Sequence, residues 1–114
     1  MHAITLSKLV KSLEARKRNP DFAMLDVGCG TGYSTLLYAD LASQILQSQL
    51  NDFVVVGTDY YARFIEKSML MLDKYPILNA NVKFTEHDFL QDRFDQSFDV
   101  CTFGFEVSLD LLRQ

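Results

Sequence analysis

The 114-residue sequence predicts an α/β fold: a doubly wound, mostly parallel sheet with helices on both of its faces. Three observations predict it. Short apolar runs alternate with segments of helical periodicity, one run is apolar almost throughout, and the first run ends in a turn with three glycines. Continuous apolar strands are typical of parallel sheets, because helices cover both faces. The pattern therefore predicts successive β-α-β units in one domain, residues 1–114.

The first half of the chain contains two predicted strands. Apolar residues at helical spacing predict an amphipathic helix over residues 3–18, which ends before Pro20. Residues 22–27 form the first strand, and residues 53–58 form a second one that is covered on both faces. The helix between them ends near residues 51–52, and its apolar positions are predicted to share one side: Leu36, Leu37, Leu41, Ile45 and Leu46.

The second half repeats this arrangement. A third helix ends near Pro76, and residues 82–86 alternate like a strand close to a sheet edge. Residues 98–103 are a predicted fourth strand, and a further helix begins at residues 108–113. The apolar stripe of the third helix is predicted to consist of Phe64, Ile65, Met69 and Leu72.

Composition and charge restrict the class of protein. Apolar residues make up 48% of the chain and the formal net charge is −4, which fits a globular domain and argues against a nucleic-acid module. No apolar run approaches the roughly 20 residues that span a bilayer, and the N-terminus lacks the features of a signal peptide. We therefore expect a cytoplasmic protein without membrane or nucleic-acid partners. Its two cysteines, Cys29 and Cys101, are expected to be free thiols.

The most informative segment is the glycine turn, residues 28–32, which joins the first strand to the second helix. Gly28, Gly30 and Gly32 tolerate positive φ values and remove the Cβ atoms that would keep a ligand from the backbone. The dinucleotide fingerprint GxGxxG would need a glycine where Tyr33 stands, so NAD is disfavoured. The turn predicts a site for another nucleotide-like ligand.

Asp59 ends the second predicted strand and is the next candidate for the site. A carboxylate at this position can accept hydrogen bonds from both hydroxyls of a ribose. Tyr60, directly after it, either lays its ring on the ribose or the base, or belongs to the core together with Tyr61. In a doubly wound sheet, ligands bind beyond the carboxyl ends of the strands where the strand order reverses. Asp59 and the glycine turn both lie at such strand ends.

An acidic residue followed by GxGxG, as in residues 26–32, resembles the first motif of class I S-adenosylmethionine-dependent methyltransferases. The resemblance implies a Rossmann-like sheet of seven strands in the order 3-2-1-4-5-7-6, of which this sequence supplies strands one to four. We therefore interpret this sequence as a part of a larger protein, shortened at both ends, and a natural mini-domain is the alternative. Strand four would then be an uncovered edge, which could pair with another chain.

The same resemblance implies S-adenosyl-L-methionine as the cofactor and assigns residues to it. The glycine turn would face the methionine part, and the start of the next helix would favour its carboxylate. Asp88 occupies the position of an acid for the adenine amino group, and Phe89 would lie against the ring. His87 is interpreted as a loop residue without a metal-binding role. The implied cofactor site consists of Asp26, Gly28, Cys29, Gly30, Thr31, Gly32, Asp59, Tyr60, Asp88 and Phe89.

Longer stretches resemble one class of these enzymes, the protein-L-isoaspartate O-methyltransferases. Residues 25–39 (LDVGCGTGYSTLLYA) are similar to the LDVGSGSGYLTA run, residues 56–59 to VxGID, and residues 65–68 to LVxxS. The resemblance implies methyl transfer to isoaspartyl carboxylates of damaged proteins, with a protein or peptide as substrate. Two segments depart from the pattern: residues 86–89 replace GDGR, and residues 103–106 replace VGAA.

Two other functions stay open at this point. The two divergent segments favour a class I methyltransferase with a different acceptor. A methyltransferase-like module without activity could instead dock a partner by strand addition along the fourth strand. No catalytic residue is identified, because methyl transfer depends more on placement of the reactants than on an acid or a base.

Overall fold

The structure, a computed structural model, describes residues 6–15, 22–46, 53–88, 92–94 and 97–103. The described helices and strands follow one another in the order that the sequence predicts. Their bounds are α1 (Leu6–Ala15), β1 (Phe22–Val27), α2 (Tyr33–Leu46), β2 (Phe53–Asp59), α3 (Ala62–Leu72), a 3₁₀ helix (Pro76–Leu78), β3 (Val82–Glu86) and β4 (Val100–Thr102). The helix predicted at residues 108–113 lies outside the described residues.

The four strands form one parallel sheet in the order β3-β2-β1-β4. The predicted α/β fold with a parallel sheet is therefore confirmed. From β1 the chain adds β2 and β3 on one side and β4 on the other, so the order reverses between β1 and β4. The carboxyl ends of these two strands are where a ligand is expected in such a sheet.

The buried side of α2 differs from the prediction. Leu37, predicted to face the core, is 36% exposed, and Leu41 and Ile45 are only partly buried. The helix instead packs through a mostly smaller set of buried residues: Ser34, Thr35, Leu36, Tyr38, Ala39, Ala42 and Leu46. A Cβ atom on Gly57 of β2 would lie 2.5 Å from the Thr35 hydroxyl. Small side chains face the sheet because α2 approaches β2 closely.

The predicted stripe of α3 is also partly wrong. Ile65 and Leu72 are buried, but Met69 is 50% exposed and Phe64 is half-buried. The third buried position is Ser68, which faces the glycine turn. Periodicity found the correct side of the helix but assigned an apolar residue where a small polar one is required.

The two outer strands of the described sheet differ in character. In β3, buried and exposed residues alternate at its start, as predicted for a strand near an edge. β4 is shorter than the predicted range 98–103. Before it, the Asp99 side chain takes part in the pairing with β1, because its carboxylate accepts the Ala23 N–H at 2.8 Å. The backbone N–H of Asp99 donates to the Ala23 carbonyl at 2.7 Å. Pairing of β4 with another chain stays a prediction. None of the described helices has the length and hydropathy needed to cross a bilayer.

Candidate functional site

The glycine turn has the backbone conformation that its sequence predicts. Gly28, Gly30 and Gly32 have φ values of 71°, 58° and 94°, all in the region that favours glycine. The Cys29 N–H donates to the carbonyl of Thr58 at 2.8 Å, and the Gly32 N–H donates to the carbonyl of Cys29 at 3.0 Å. The turn is therefore joined to the carboxyl end of β2 before α2 begins.

The glycines of this turn face different surroundings. A Cβ atom on Gly28 or Gly30 would meet no heavy atom within 4 Å among the described residues. On Gly32 it would lie 2.9 Å from the Cβ and Oγ of Ser68. Gly32 is thus needed for packing against α3, whereas the first two glycines border open space. Any side chain there would project into that space, so the backbone of the turn forms an open cradle at Gly28 and Gly30.

Asp26 lies beneath the turn, and its side chain is fully buried. Its Oδ2 accepts hydrogen bonds from the hydroxyls of Ser34 at 2.6 Å and Thr35 at 2.7 Å, both in the first turn of α2. Its Oδ1 accepts one from the hydroxyl of Thr102 in β4 at 2.9 Å. A buried carboxylate needs such donors, since its desolvation is costly. In this structure Asp26 ties β1, α2 and β4 together underneath the turn.

The negative charge of Asp26 acts on three neighbouring groups. The pKa of the Cys29 thiol is raised to about 12 and that of the Cys101 thiol to about 11. In both cases burial is the larger cause and the charge of Asp26 is the second. The same two causes raise the pKa of the Tyr38 hydroxyl. Both cysteines are free, as predicted. Because the thiolate is the reactive form, neither thiol is suited to act as a nucleophile at neutral pH.

Asp59 connects the end of β2 to the glycine turn. Its Oδ2 accepts the N–H of Gly30 at 3.0 Å, and its Oδ1 accepts the N–H of Tyr61 at 3.1 Å. The side chain is only partly buried. Each carboxylate oxygen has two lone pairs, so Asp59 can hold the turn and still accept hydrogen bonds from a ligand.

Aromatic side chains follow Asp59. Tyr60 is 62% exposed and Tyr61 is 60% exposed, so the alternative in which they belong to the core is not what the structure shows. The two rings meet edge to face with centroids 5.2 Å apart, and Tyr61 meets Phe64 in the same way at 5.7 Å. The ring of Tyr60 is therefore accessible to a ligand beside Asp59.

The segment after β3 contains the remaining predicted residues. Asp88 is half-buried, its N–H donates to Oδ2 of Asp92 at 2.8 Å, and its carbonyl accepts the Asp92 N–H at 2.8 Å. The backbone N–H of His87 donates to the backbone carbonyl of Asp59 at 2.9 Å. The imidazole ring of His87 stacks on the ring of Phe94, with centroids 3.8 Å apart. This brings the start of the segment to the carboxyl end of β2. Phe89 lies outside the described residues.

Four polar residues at the turn were not identified from the sequence. They are Ser34, Thr35, Ser68 and Thr102, and all four are buried. A buried carboxylate needs hydrogen-bond donors, so hydroxyl groups are expected around Asp26. The sequence alone does not show which serine and threonine side chains lie close enough to donate to it. Within the described ranges, no three histidine, cysteine or acidic residues come together to hold a metal ion.

Comparison with known proteins gives a family and a set of similar folds. Residues 18–108 match the methyltransferase domain family. The fold is similar to that of the YcgJ protein from Bacillus subtilis, with 22% identity and a TM-score of 0.52 over 80% of this chain and 36% of that one. It is also similar to a proposed caffeoyl-CoA O-methyltransferase from Staphylococcus aureus, with 17% identity and a TM-score of 0.52 over 88% of this chain and 45% of that one. No curated protein matches the chain.

Proposed function

We propose that this chain, which belongs to the methyltransferase domain family, is the cofactor-binding part of an enzyme that methylates isoaspartyl carboxylates. S-adenosylmethionine is the methyl donor of this family. The chain spans less than half of the two similar structures, so the activity of the whole protein is part of the proposal. The observation that carries its cofactor-binding part is the open cradle beside Gly28 and Gly30, with Asp59 at its edge.

The described residues fit this cofactor in three ways. The backbone of the glycine turn leaves room for the methionine part, and the adjoining N-terminus of α2 favours its carboxylate. Asp59 accepts hydrogen bonds from ribose hydroxyls, and the exposed ring of Tyr60 stacks beside them. Asp88 lies one strand further along, where it serves the adenine. Asp26 is fully buried beneath the turn, so in this proposal its part in the cofactor site is to position the turn from below.

Methyl transfer to a carboxylate needs little general acid or general base catalysis from the protein. When bound, S-adenosylmethionine would supply a methyl group on a sulfonium: an acceptor lone pair would bond to the methyl carbon in line with the carbon–sulfur bond, which breaks and leaves its electrons on a neutral thioether sulfur. An ionised carboxylate is already a nucleophile at neutral pH, since its unperturbed pKa is about 4. The chain's own part is to hold the donor rigidly, so that the acceptor meets it in the reactive geometry.

The acceptor is inferred from the sequence runs that resemble isoaspartate methyltransferases. One of them, residues 65–68, ends in Ser68, which contacts the glycine turn. The serine of that pattern therefore contacts the turn to which the proposal assigns the cofactor, and this supports the proposal. A methyltransferase with another acceptor is the second candidate. It is favoured by the divergent residues 86–89, where Glu86 is exposed and His87 stacks on Phe94.

Titration calorimetry of the full-length protein with S-adenosylhomocysteine and with NAD tests the cofactor. We expect binding of S-adenosylhomocysteine and no heat from NAD. Transfer of a labelled methyl group to a peptide with one isoaspartyl residue, against the same peptide with aspartate, then tests the acceptor. Equal labelling of both peptides, or of neither, would reject isoaspartyl specificity and leave the second candidate. Absence of binding to either cofactor would favour a docking module that uses β4.

Replacing Asp59 tests its contact with the ribose. Asp59→Ala is expected to weaken S-adenosylhomocysteine binding by about 1–3 kcal/mol, because it removes a charged acceptor from ribose hydroxyls and from the Gly30 N–H. Asp73→Ala, which removes an exposed carboxylate at the end of α3, is the matched control and should bind like the wild type. Unchanged affinity of Asp59→Ala in calorimetry would remove Asp59 from the site.

A further inference from the structure

Ser68 is a fully buried hydroxyl on α3 that contacts the glycine turn. Its Oγ lies 3.0 Å from the carbonyl oxygen of Gly30 and 2.9 Å from that of Phe64, one turn earlier in the same helix. The hydroxyl proton is therefore shared between the helix and the turn. The second contact is common for serine in helices, whereas the first joins residues 38 positions apart in the chain.

The same side chain meets the turn at two further positions. Gly32 approaches it so closely that a Cβ atom there would lie 2.9 Å from both Cβ and Oγ of Ser68. A hydrogen bond with the Ser68 hydroxyl also partly offsets the rise in the pKa of the Cys29 thiol. Ser68 thus contacts the turn on both sides of Gly30 and joins α3 to it.

Gly30 is consequently held at both of its polar groups. Asp59 accepts its N–H at 3.0 Å, and Ser68 donates to its carbonyl. In a trans peptide the carbonyl of one residue and the N–H of the next point in opposite directions. A Gly30 carbonyl fixed toward α3 therefore directs the N–H of Thr31 away from α3. Thr31 itself is exposed at the surface of the turn.

We infer that Ser68 is a positioning residue for the cofactor: by anchoring the Gly30 carbonyl, it presents the Thr31 N–H as a fixed hydrogen-bond donor to the bound S-adenosylmethionine. This inference rests on the proposed function of the glycine turn. Without the Ser68 hydroxyl, the Gly30 carbonyl keeps the weak hydrogen bond from the Cys29 thiol at 3.7 Å but loses the shorter one at 3.0 Å, so the peptide between Gly30 and Thr31 is held less firmly. Part of the binding free energy is then spent on ordering it.

The test compares three variants with the full-length wild-type protein. Ser68→Ala removes the hydroxyl, and Ser68→Cys replaces it with a weaker donor in a larger side chain. Ser43→Ala is the matched control, because the Ser43 hydroxyl also bonds a carbonyl of its own helix, that of Asp40 at 2.7 Å. Calorimetry with S-adenosylhomocysteine, well below the melting temperature, measures affinity. The amide signal of Thr31 in ligand-free protein, by heteronuclear NMR, reports the peptide orientation.

We expect Ser68→Ala to bind roughly tenfold more weakly, Ser68→Cys to lie between it and the wild type, and Ser43→Ala to be unchanged. A role in packing alone would penalise the larger cysteine more than alanine, and that order would overturn the inference. Wild-type affinity in Ser68→Ala would overturn it too. If the wild type itself does not bind, the proposed function fails. An unshifted Thr31 amide in Ser68→Ala would then also reject the positioning role.

Discussion

Gly30→Val is expected to abolish S-adenosylhomocysteine binding while the sheet remains folded. A Cβ atom at Gly30 meets no described heavy atom within 4 Å, so the added side chain occupies the open space in which the ligand is expected to lie. A φ of 58° is unfavourable for a β-branched residue, and the strain costs roughly 1–2 kcal/mol of stability. Steric exclusion should weaken binding by at least about 100-fold, or ~2.7 kcal/mol, in calorimetry.

Gly30→Asn separates steric exclusion from backbone strain. Asparagine tolerates the left-handed region better than valine, yet its side chain fills the same space. We expect it to melt close to the wild type and still fail to bind. If Gly30→Asn binds with wild-type affinity, the ligand does not lie against Gly30 and the cradle must be assigned elsewhere.

Asp26→Ala is expected to cause the largest loss of stability. The substitution removes the acceptor of three hydroxyls, those of Ser34, Thr35 and Thr102, in a place that water does not reach. Breaking a buried polar network of this kind costs about 3 kcal/mol of unfolding free energy. For a domain of this size, that corresponds to a melting temperature lower by more than about 10 °C. Denaturant and thermal unfolding measure the two quantities.

Two comparisons test the reason for this loss. Asp40→Ala deletes the same group at an exposed position of α2, where the carboxylate accepts a hydrogen bond from Gln44 at 2.9 Å, and should change stability by less than about 0.5 kcal/mol. Asp26→Asn keeps one acceptor oxygen and should be intermediate. Equal stabilities of Asp26→Ala and Asp40→Ala would show that the network beneath the turn contributes little.

The elements that the sequence predicts well are those with a strong local signal. Residues 22–27 and 82–86 form the predicted strands, and the GxGxG spacing gives three glycines with positive φ. The errors lie on helix faces. Leu37 and Met69 are exposed because α2 and α3 approach their neighbours closely, and small or polar residues such as Thr35 and Ser68 occupy the buried positions. Hydrophobic periodicity cannot detect a face built in this way.

For this protein, the sequence by itself determined the order of helices and strands, the parallel sheet and the position of the glycine turn, because each follows from residues close together in the chain. Only the tertiary structure decided how the turn is held. Gly30 is bound by Asp59, 29 positions away, and by Ser68, 38 positions away, while Asp26 is bound by Thr102, 76 positions away. Hydrogen bonds require distances near 3 Å and suitable angles. Such geometry arises only when the strands are in register and the helices are packed on them, so no local pattern encodes it.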